Sequence, residues 1–163
     1  MMPVSIEEYL RESYEPDCDF VDGELVDRHA GYHPHGAVIG EILYQLRRFR
    51  PDAYGYPILR LRVAEQCIRV ADVAVFLERP SEQIPSKPPF ICVEVLSEFD
   101  SFDELAPKLE DYPRFGVAHI WLIDPAERCG WFYQSRQFSR VTNALRAGAI
   151  SLDIAQLFAE LDG

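Results

Sequence analysis

The sequence predicts an α/β fold: an α+β arrangement in which helices pack on one mixed sheet, in a single domain over residues 1–163. Two observations carry this. A helical pattern at residues 37–49 is followed by three strand-like segments in a meander. A second helical pattern at residues 102–115 then separates the third strand from a fourth apolar segment, residues 118–123. A helix that crosses over between two strands of one sheet returns a parallel neighbour with right-handed sense. Adding that neighbour to an antiparallel meander gives a mixed sheet. At 163 residues, 48% hydrophobic and 26% charged, the chain suits one domain with a substantial core.

The elements follow in order. Ser5 has the spacing of an N-cap, with Glu8 three residues on, and Ile6, Tyr9 and Leu10 give a short amphipathic helix. Asp22-Gly23 between Phe20-Val21 and Glu24-Leu25-Val26 is a two-residue hairpin signal, expected at the edge of the main sheet. His29, His33 and His35 cluster in RHAGYHPHG. Their spacing matches no defensible zinc pattern, so they are expected as loop or helix-entry residues. Val38, Ile39, Ile42, Leu43, Leu46 and Phe49 recur at three and four. Arg47, Arg48 and Arg50 gather at the end of that helix, where they suit its dipole, and Pro51 stops it.

Residues 58–63 alternate, with Arg60 and Arg62 on the polar face, and Glu65-Gln66 turns the chain back. Residues 67–77 form a second strand, the proline-rich stretch RPSEQIPSKPP a loop, and residues 90–96 a third strand too continuously apolar for an edge. Pro107 and Pro113 interrupt the following helix, which is expected to last only about two turns. Residues 130–133 and 138–142 read as a hairpin-like extension, and Asp153 caps a closing helix through Ile154, Leu157, Phe158 and Leu161.

Charge and cysteine usage narrow the function. The net charge of −11 repels duplex DNA, whose binding relies on lysine and arginine neutralising phosphates. A nucleic-acid role must then rest on a local site or a basic partner. Cys18, Cys67, Cys92 and Cys129 contain no CxxC pair and read as buried reduced thiols. No apolar run approaches the ~18 residues of a membrane span. The first residues also lack signal-peptide order, so a cytoplasmic protein is expected.

Two acids sit in otherwise apolar strands: Asp72 in the second and Glu94 in the third. An unpaired buried carboxylate costs several kcal/mol, so each needs a partner. Adjacent strands lie ~4.8 Å apart, and two same-face carboxylates at that spacing can share a hard cation such as Mg²⁺ or Mn²⁺. Water activated there can attack a phosphodiester, and a nearby positive group stabilises the developing charge. Leu96 cannot serve; Lys108 can, if its helix lies over the strand ends. A plain account stands beside this one. Backbone amides or Arg60, Arg62 or Arg69 hold the acids, and Lys108 lies along the helix edge with its head in water.

The pieces EEYL, FVDGELVD, His35 at the helix entry, RVADVAVF, CVEVLS and KLEDYPRFGVAHIWLIDP run in order through most of the chain. Together they resemble the Uma2 family of restriction-endonuclease-like proteins, within the PD-(D/E)XK nuclease superfamily. The resemblance implies a restriction-endonuclease-like core of helix, three-strand meander, helix and strand, with added hairpins. It implies that Asp72 and Glu94 bind Mg²⁺ or Mn²⁺ and that Lys108 replaces a superfamily lysine absent at Leu96. His35 matches a recurrent family histidine, and His35 and Glu41 are candidate supporting residues. Ala71 stands where the family usually has proline.

The expected activity is metal-dependent hydrolysis of nucleic acid, DNA before RNA, with a homodimer possible on fold grounds. Two alternatives stay open: a nuclease fold retained as an inactive binding module, and a metal-dependent hydrolase of a small phosphoester. A Ser-His-Asp hydrolase is disfavoured, since no nucleophile-elbow glycines flank Ser97.

Overall fold

The structure is a computed structural model that describes residues 2–29 and 31–162. Helix α1 (Ile6–Arg11) starts as its sequence directs: the Ser5 side chain accepts from the Glu8 amide at 3.1 Å. Strands β1 (Asp19–Val21) and β2 (Glu24–Val26) form the predicted hairpin. Asp22 and Gly23 both take positive φ, 48° and 89°, the twist a two-residue hairpin turn needs.

Helix α2 (His33–Phe49) begins four residues before the apolar periodicity does. Pro34 lies in its first turn, where a missing N–H costs nothing. His33 and His35 are therefore helical rather than loop residues. Strand β3 (Tyr54–Ala64) is longer than the alternating stretch and runs against all of β4 (Cys67–Phe76). Every residue of β4 and of β5 (Ile91–Val95) is buried, as their unbroken apolar runs require.

Helix α3 (Phe102–Phe115) corrects the expectation of two turns: it spans 14 residues with Pro107 and Pro113 inside it. Each proline removes one helical hydrogen bond. Burial of Lys108, Leu109 and Tyr112 against the sheet holds the helix together despite both. Ser101 caps its start by accepting from the Glu104 amide at 3.2 Å. Gly116, at φ 110°, ends it in a left-handed cap. The crossover delivers β6 (His119–Asp124) parallel to β5, as predicted.

Strands β7 (Cys129–Gln134) and β8 (Gln137–Val141) extend the sheet as the expected hairpin. A second hairpin, β9 (Ala144–Ala147) with β10 (Ile150–Asp153), was not predicted. Its strands are four residues each, too short for a period to show. Asp153 caps α4 (Ile154–Leu157), accepting from the Gln156 amide at 3.0 Å. The closing helix is one turn followed by a 3₁₀ turn, Ala159–Asp162.

The main sheet has the order β2-β1-β4-β5-β6-β7-β8, with β3 also pairing β4. Strand β4 thus has three partners on two edges. Since β3 covers one edge along its length, β1 and β5 share the other. β1 pairs at Ile68 and Cys67, and β5 pairs at Val73, Ala74 and Val75. Between them the edge of β4 from Arg69 to Asp72 has no strand beside it, and this fork is where the polar residues collect.

One core packs α2 and the β9–β10 hairpin on one face, around Ile42, Val93, Trp121 and Leu145. The other packs α3 on the opposite face, around Leu61, Leu109, Tyr112 and Leu122. All four cysteines are free and buried. Among the described residues no helix is long and apolar enough to cross a membrane.

Candidate functional site

Backbone groups exposed by the fork find side-chain partners instead of a strand. The Val70 amide donates to Asp19 Oδ1 at 2.7 Å, and the Val70 carbonyl accepts from Lys108 Nζ at 2.6 Å. The Val95 amide donates to Asp72 Oδ2 at 2.8 Å. An unpaired buried backbone group costs about as much as a lost hydrogen bond, so these side chains complete the sheet as well as line the site.

The two acids found from the sequence lie on either side of the fork. The β4–β5 ladder runs to Val73 and Val93; continuing its register brings Asp72 opposite Glu94, where the strands part. Each is 3% exposed. On β3, Ile58 is the position between the Pro57–Val73 and Leu59–Ala71 pairs that falls opposite Asp72. It has φ 47°, a strained conformation for a β-branched residue, so the backbone beside the acid is distorted on that edge too.

Lys108 reaches the fork from α3. It is 5% exposed, and its Nζ lies 3.0 Å from Glu94 Oε2 and 3.9 Å from Asp19 Oδ2. Its head therefore does not lie in water along the helix edge. Tyr112, one turn further on, donates its hydroxyl to Glu94 Oε1 at 2.5 Å. Asp72 is held by a different pair. Arg28 contacts Oδ1, while His35 Nε2 lies 3.2 Å from Oδ2.

These partners set the protonation states. Burial works against ionising Asp72, but His35, Arg28 and Lys108 outweigh it and hold the carboxyl below the usual range. Burial, reinforced by the Asp72 charge, pushes Glu94 up to about 7 against Lys108, Arg28 and Tyr112. Burial also disfavours charge on Lys108 and His35. Asp19 and Glu94 keep Lys108 protonated, and Asp72 raises His35 above its ordinary value.

Asp72, Glu94, Arg28, His35 and Lys108 line a pocket of about 340 Å³. Arg69 is on its wall but is committed elsewhere, 3.1 Å from Asp19 and 2.7 Å from Asp111. Arg60 pairs with Asp17 at 2.7 Å, and Arg62 makes no contact to either acid. The arginine that holds Asp72 is Arg28, which no spacing or period singles out. Glu41 is not brought to the pocket: it is half-buried on α2 and accepts from Gln45 at 3.5 Å. The histidines diverge. His29 lies on the pocket wall facing Asp100 and Glu104, His33 faces Glu160, and His35 is the one that contacts Asp72.

Among the described residues no three His, Cys, Asp or Glu side chains gather to hold a metal alone. Of the three carboxylates at the fork, Asp19 is tied to Arg69 and the Val70 amide, so the candidate donors are the oxygens of Asp72 and Glu94. That set fits Mg²⁺ or Mn²⁺, which keep several waters, and not a zinc or calcium cage built from protein ligands alone. Asp19, Tyr112 and Arg28 were missed at the sequence level. Tyr112 left a trace, being i+4 from Lys108 on the same helical face; Asp19 and Arg28 left none.

Comparison with known proteins bears on the family and the fold. Residues 6–157 match the model of the family Uma2, described as "Putative restriction endonuclease". Among solved structures, one described as "a putative nuclease belonging to DUF820 from Anabaena variabilis ATCC 29413" has the same fold. It superposes with a TM-score of 0.84 at 20% identity, over 98% of this chain and 99% of that one. No protein of curated function matches the chain.

Proposed function

The chain belongs to the Uma2 family, and from that premise we propose that it is a divalent-metal-dependent nuclease hydrolysing phosphodiester bonds, in DNA before RNA. The observation that supports this most directly is the fork itself. Asp72 and Glu94 meet where β4 and β5 part, and Lys108 lies 3.0 Å from Glu94. Asp72 Oδ1 and Glu94 would hold Mg²⁺ or Mn²⁺, which supplies Lewis acidity and a water of lowered pKa.

The protein's own groups then have distinct tasks. The Val95 amide and His35 fix Asp72, so its second oxygen keeps its aim. Tyr112 and Lys108 fix the two oxygens of Glu94. Lys108 keeps a positive charge in a water-poor site, where it counts most against charge building on a phosphate. Cytoplasmic residence and a homodimer belong to the same reading and rest on the sequence.

One observation favours a second reading, a hydrolase of a small phosphoester. Arg28, Arg69 and Lys108 on the pocket wall all face acids, and the chain carries −11, so little positive surface is left for a long polyanion.

Cleavage of plasmid, single-stranded DNA and RNA with Mg²⁺ or Mn²⁺ tests the proposal, with Asp72→Asn and Lys108→Met run beside wild type. Metal-dependent nicking lost in both variants is the expected result. Activity that survives in Asp72→Asn overturns it. Turnover of bis(p-nitrophenyl) phosphate without nucleic-acid cleavage selects the second reading.

A further inference from the structure

The fork carries its own cations, and they are not held equally. Lys108 is on a helix and fastened by Val70, Glu94 and Asp19 at 2.6, 3.0 and 3.9 Å. Arg69 is clamped between Asp19 and Asp111 at 3.1 and 2.7 Å. Arg28 follows the end of β2 at Val26 and itself belongs to no helix or strand. Its side chain is 14% exposed. Among the described residues Asp72 is the one acid within ion-pair distance of it, and its other contact is a marginal 3.5 Å to the Asp17 carbonyl.

The division of labour on Asp72 is as telling. Oδ2 accepts from the Val95 amide at 2.8 Å and faces His35 at 3.2 Å, whereas among the described residues Oδ1 has Arg28 alone. Withdrawing Arg28 therefore frees one carboxylate oxygen without releasing the carboxylate. Arg28 faces Asp72 and Lys108 faces Glu94, with His35 and Arg69 also on the pocket wall. A divalent ion added while Arg28 is in place meets its charge directly at Oδ1; one added after Arg28 leaves does not.

We propose that Arg28 is the resident counter-ion of Asp72, that a divalent cation takes its place on Oδ1, and that the released guanidinium becomes a phosphate contact of the metal-loaded site. Its planar fork of N–H donors matches phosphate oxygens two at a time, which a lysine cannot do. The cation that blocks the metal in the resting protein is then the one that receives the substrate, so metal and phosphate bind with mutual assistance. This rests on the metal site proposed above.

The test is calorimetric titration of Mn²⁺ into wild type, Arg28→Met and Arg28→Lys, followed by thymidine 5′-monophosphate into each Mn²⁺-saturated protein. Arg28→Met is expected to bind Mn²⁺ at least tenfold more tightly than wild type, with Arg28→Lys near wild type. Monophosphate binding to the loaded protein falls at least tenfold in Arg28→Met. Equal or weaker Mn²⁺ affinity in Arg28→Met overturns the inference while leaving the metal site standing. No Mn²⁺ binding by any of the three proteins overturns both.

A measurement on the unaltered chain guards against a variant that does not fold. The Arg28 Nε–H resonance is expected to move on saturation with Mg²⁺ and again on adding the monophosphate. A resonance that stays fixed through both additions overturns the inference.

Discussion

The backbone amide of Val95 donates to the carboxylate of Asp72 at 2.8 Å, so the acid from β4 is written into the hydrogen bonding of β5. Removing the acid therefore removes part of the sheet. Asp72→Ala strands the Val95 amide and the Arg28 guanidinium together. Breaking a buried pair from one side costs about 3–5 kcal/mol. Asp72→Asn keeps an acceptor for the amide and loses only the charge, so its cost is expected to be smaller by about 1 kcal/mol or more. Urea unfolding of the three proteins measures this; equal stability of both variants would contradict it. The carboxylate has these structural partners whatever the protein does.

Tyr112→Phe deletes the 2.5 Å hydrogen bond to Glu94 and nothing else of comparable size. Hydrogen bonds to charged groups contribute about 1.5–3 kcal/mol, and a loss in that range is expected on urea unfolding. The bond also favours the ionised carboxylate, so Glu94, already pushed up to about 7 by burial, moves higher without it. Mn²⁺ affinity in wild type is expected to climb as pH passes through that value, since a ligand must shed its proton. In Tyr112→Phe the climb moves to higher pH. A superimposable pH profile would show that Glu94 does not hold the metal.

His35 gives a stability signal of definite sign. Its pKa is raised above its ordinary 6.5: burial disfavours the charge, but the hydrogen bond to Asp72 and the Asp72 charge prevail. A group raised on folding contributes stability that is fully present below its unfolded pKa and lost as pH rises through the folded one. The stability gap between wild type and His35→Gln is expected to narrow from pH 6 to pH 9. Denaturant midpoints across that range decide it, and a gap that widens is the contrary result.

Lys108 and Glu94 form a buried pair, best tested as a double-mutant cycle. Lys108→Met leaves Glu94 without its cation while Asp19 keeps Arg69, and Glu94→Gln leaves Lys108 with the Val70 carbonyl and the more distant Asp19. Each single change is expected to cost about 3 kcal/mol or more, and the double to cost well under their sum. Additive losses would mean the 3.0 Å contact contributes little to folding.

Much of this arrangement was legible in the chain because apolar runs announce core strands, and an acid inside such a run announces a partner. Asp72 and Glu94 were visible on that ground, and Lys108 on its helical neighbours. What holds them was not. Arg28 lies 44 residues before Asp72 and reaches it only because the β1–β2 hairpin docks on the first residues of β4. Asp19 reads as a strand-end acid until that docking turns it toward Val70. Neither has a period or spacing to betray it. The length of α3 was misread because two prolines outweigh local propensity on paper, whereas three buried side chains outweigh two lost hydrogen bonds in the fold.

The four buried thiols make the protein its own reporter of opening. Burial pushes Cys18 and Cys92 up and Cys67 to about 11, so little thiolate exists near neutral pH for an alkylating reagent to find. Cys67 sits where β1 docks on β4, Cys92 lies within β5 between β4 and β6, and Cys129 faces Asp124 across the β6–β7 ladder. Each therefore becomes reactive only when its own part of the sheet lets go. The order in which mass labels accumulate at these three sites gives the sequence in which the sheet comes apart, strand by strand, without altering a residue.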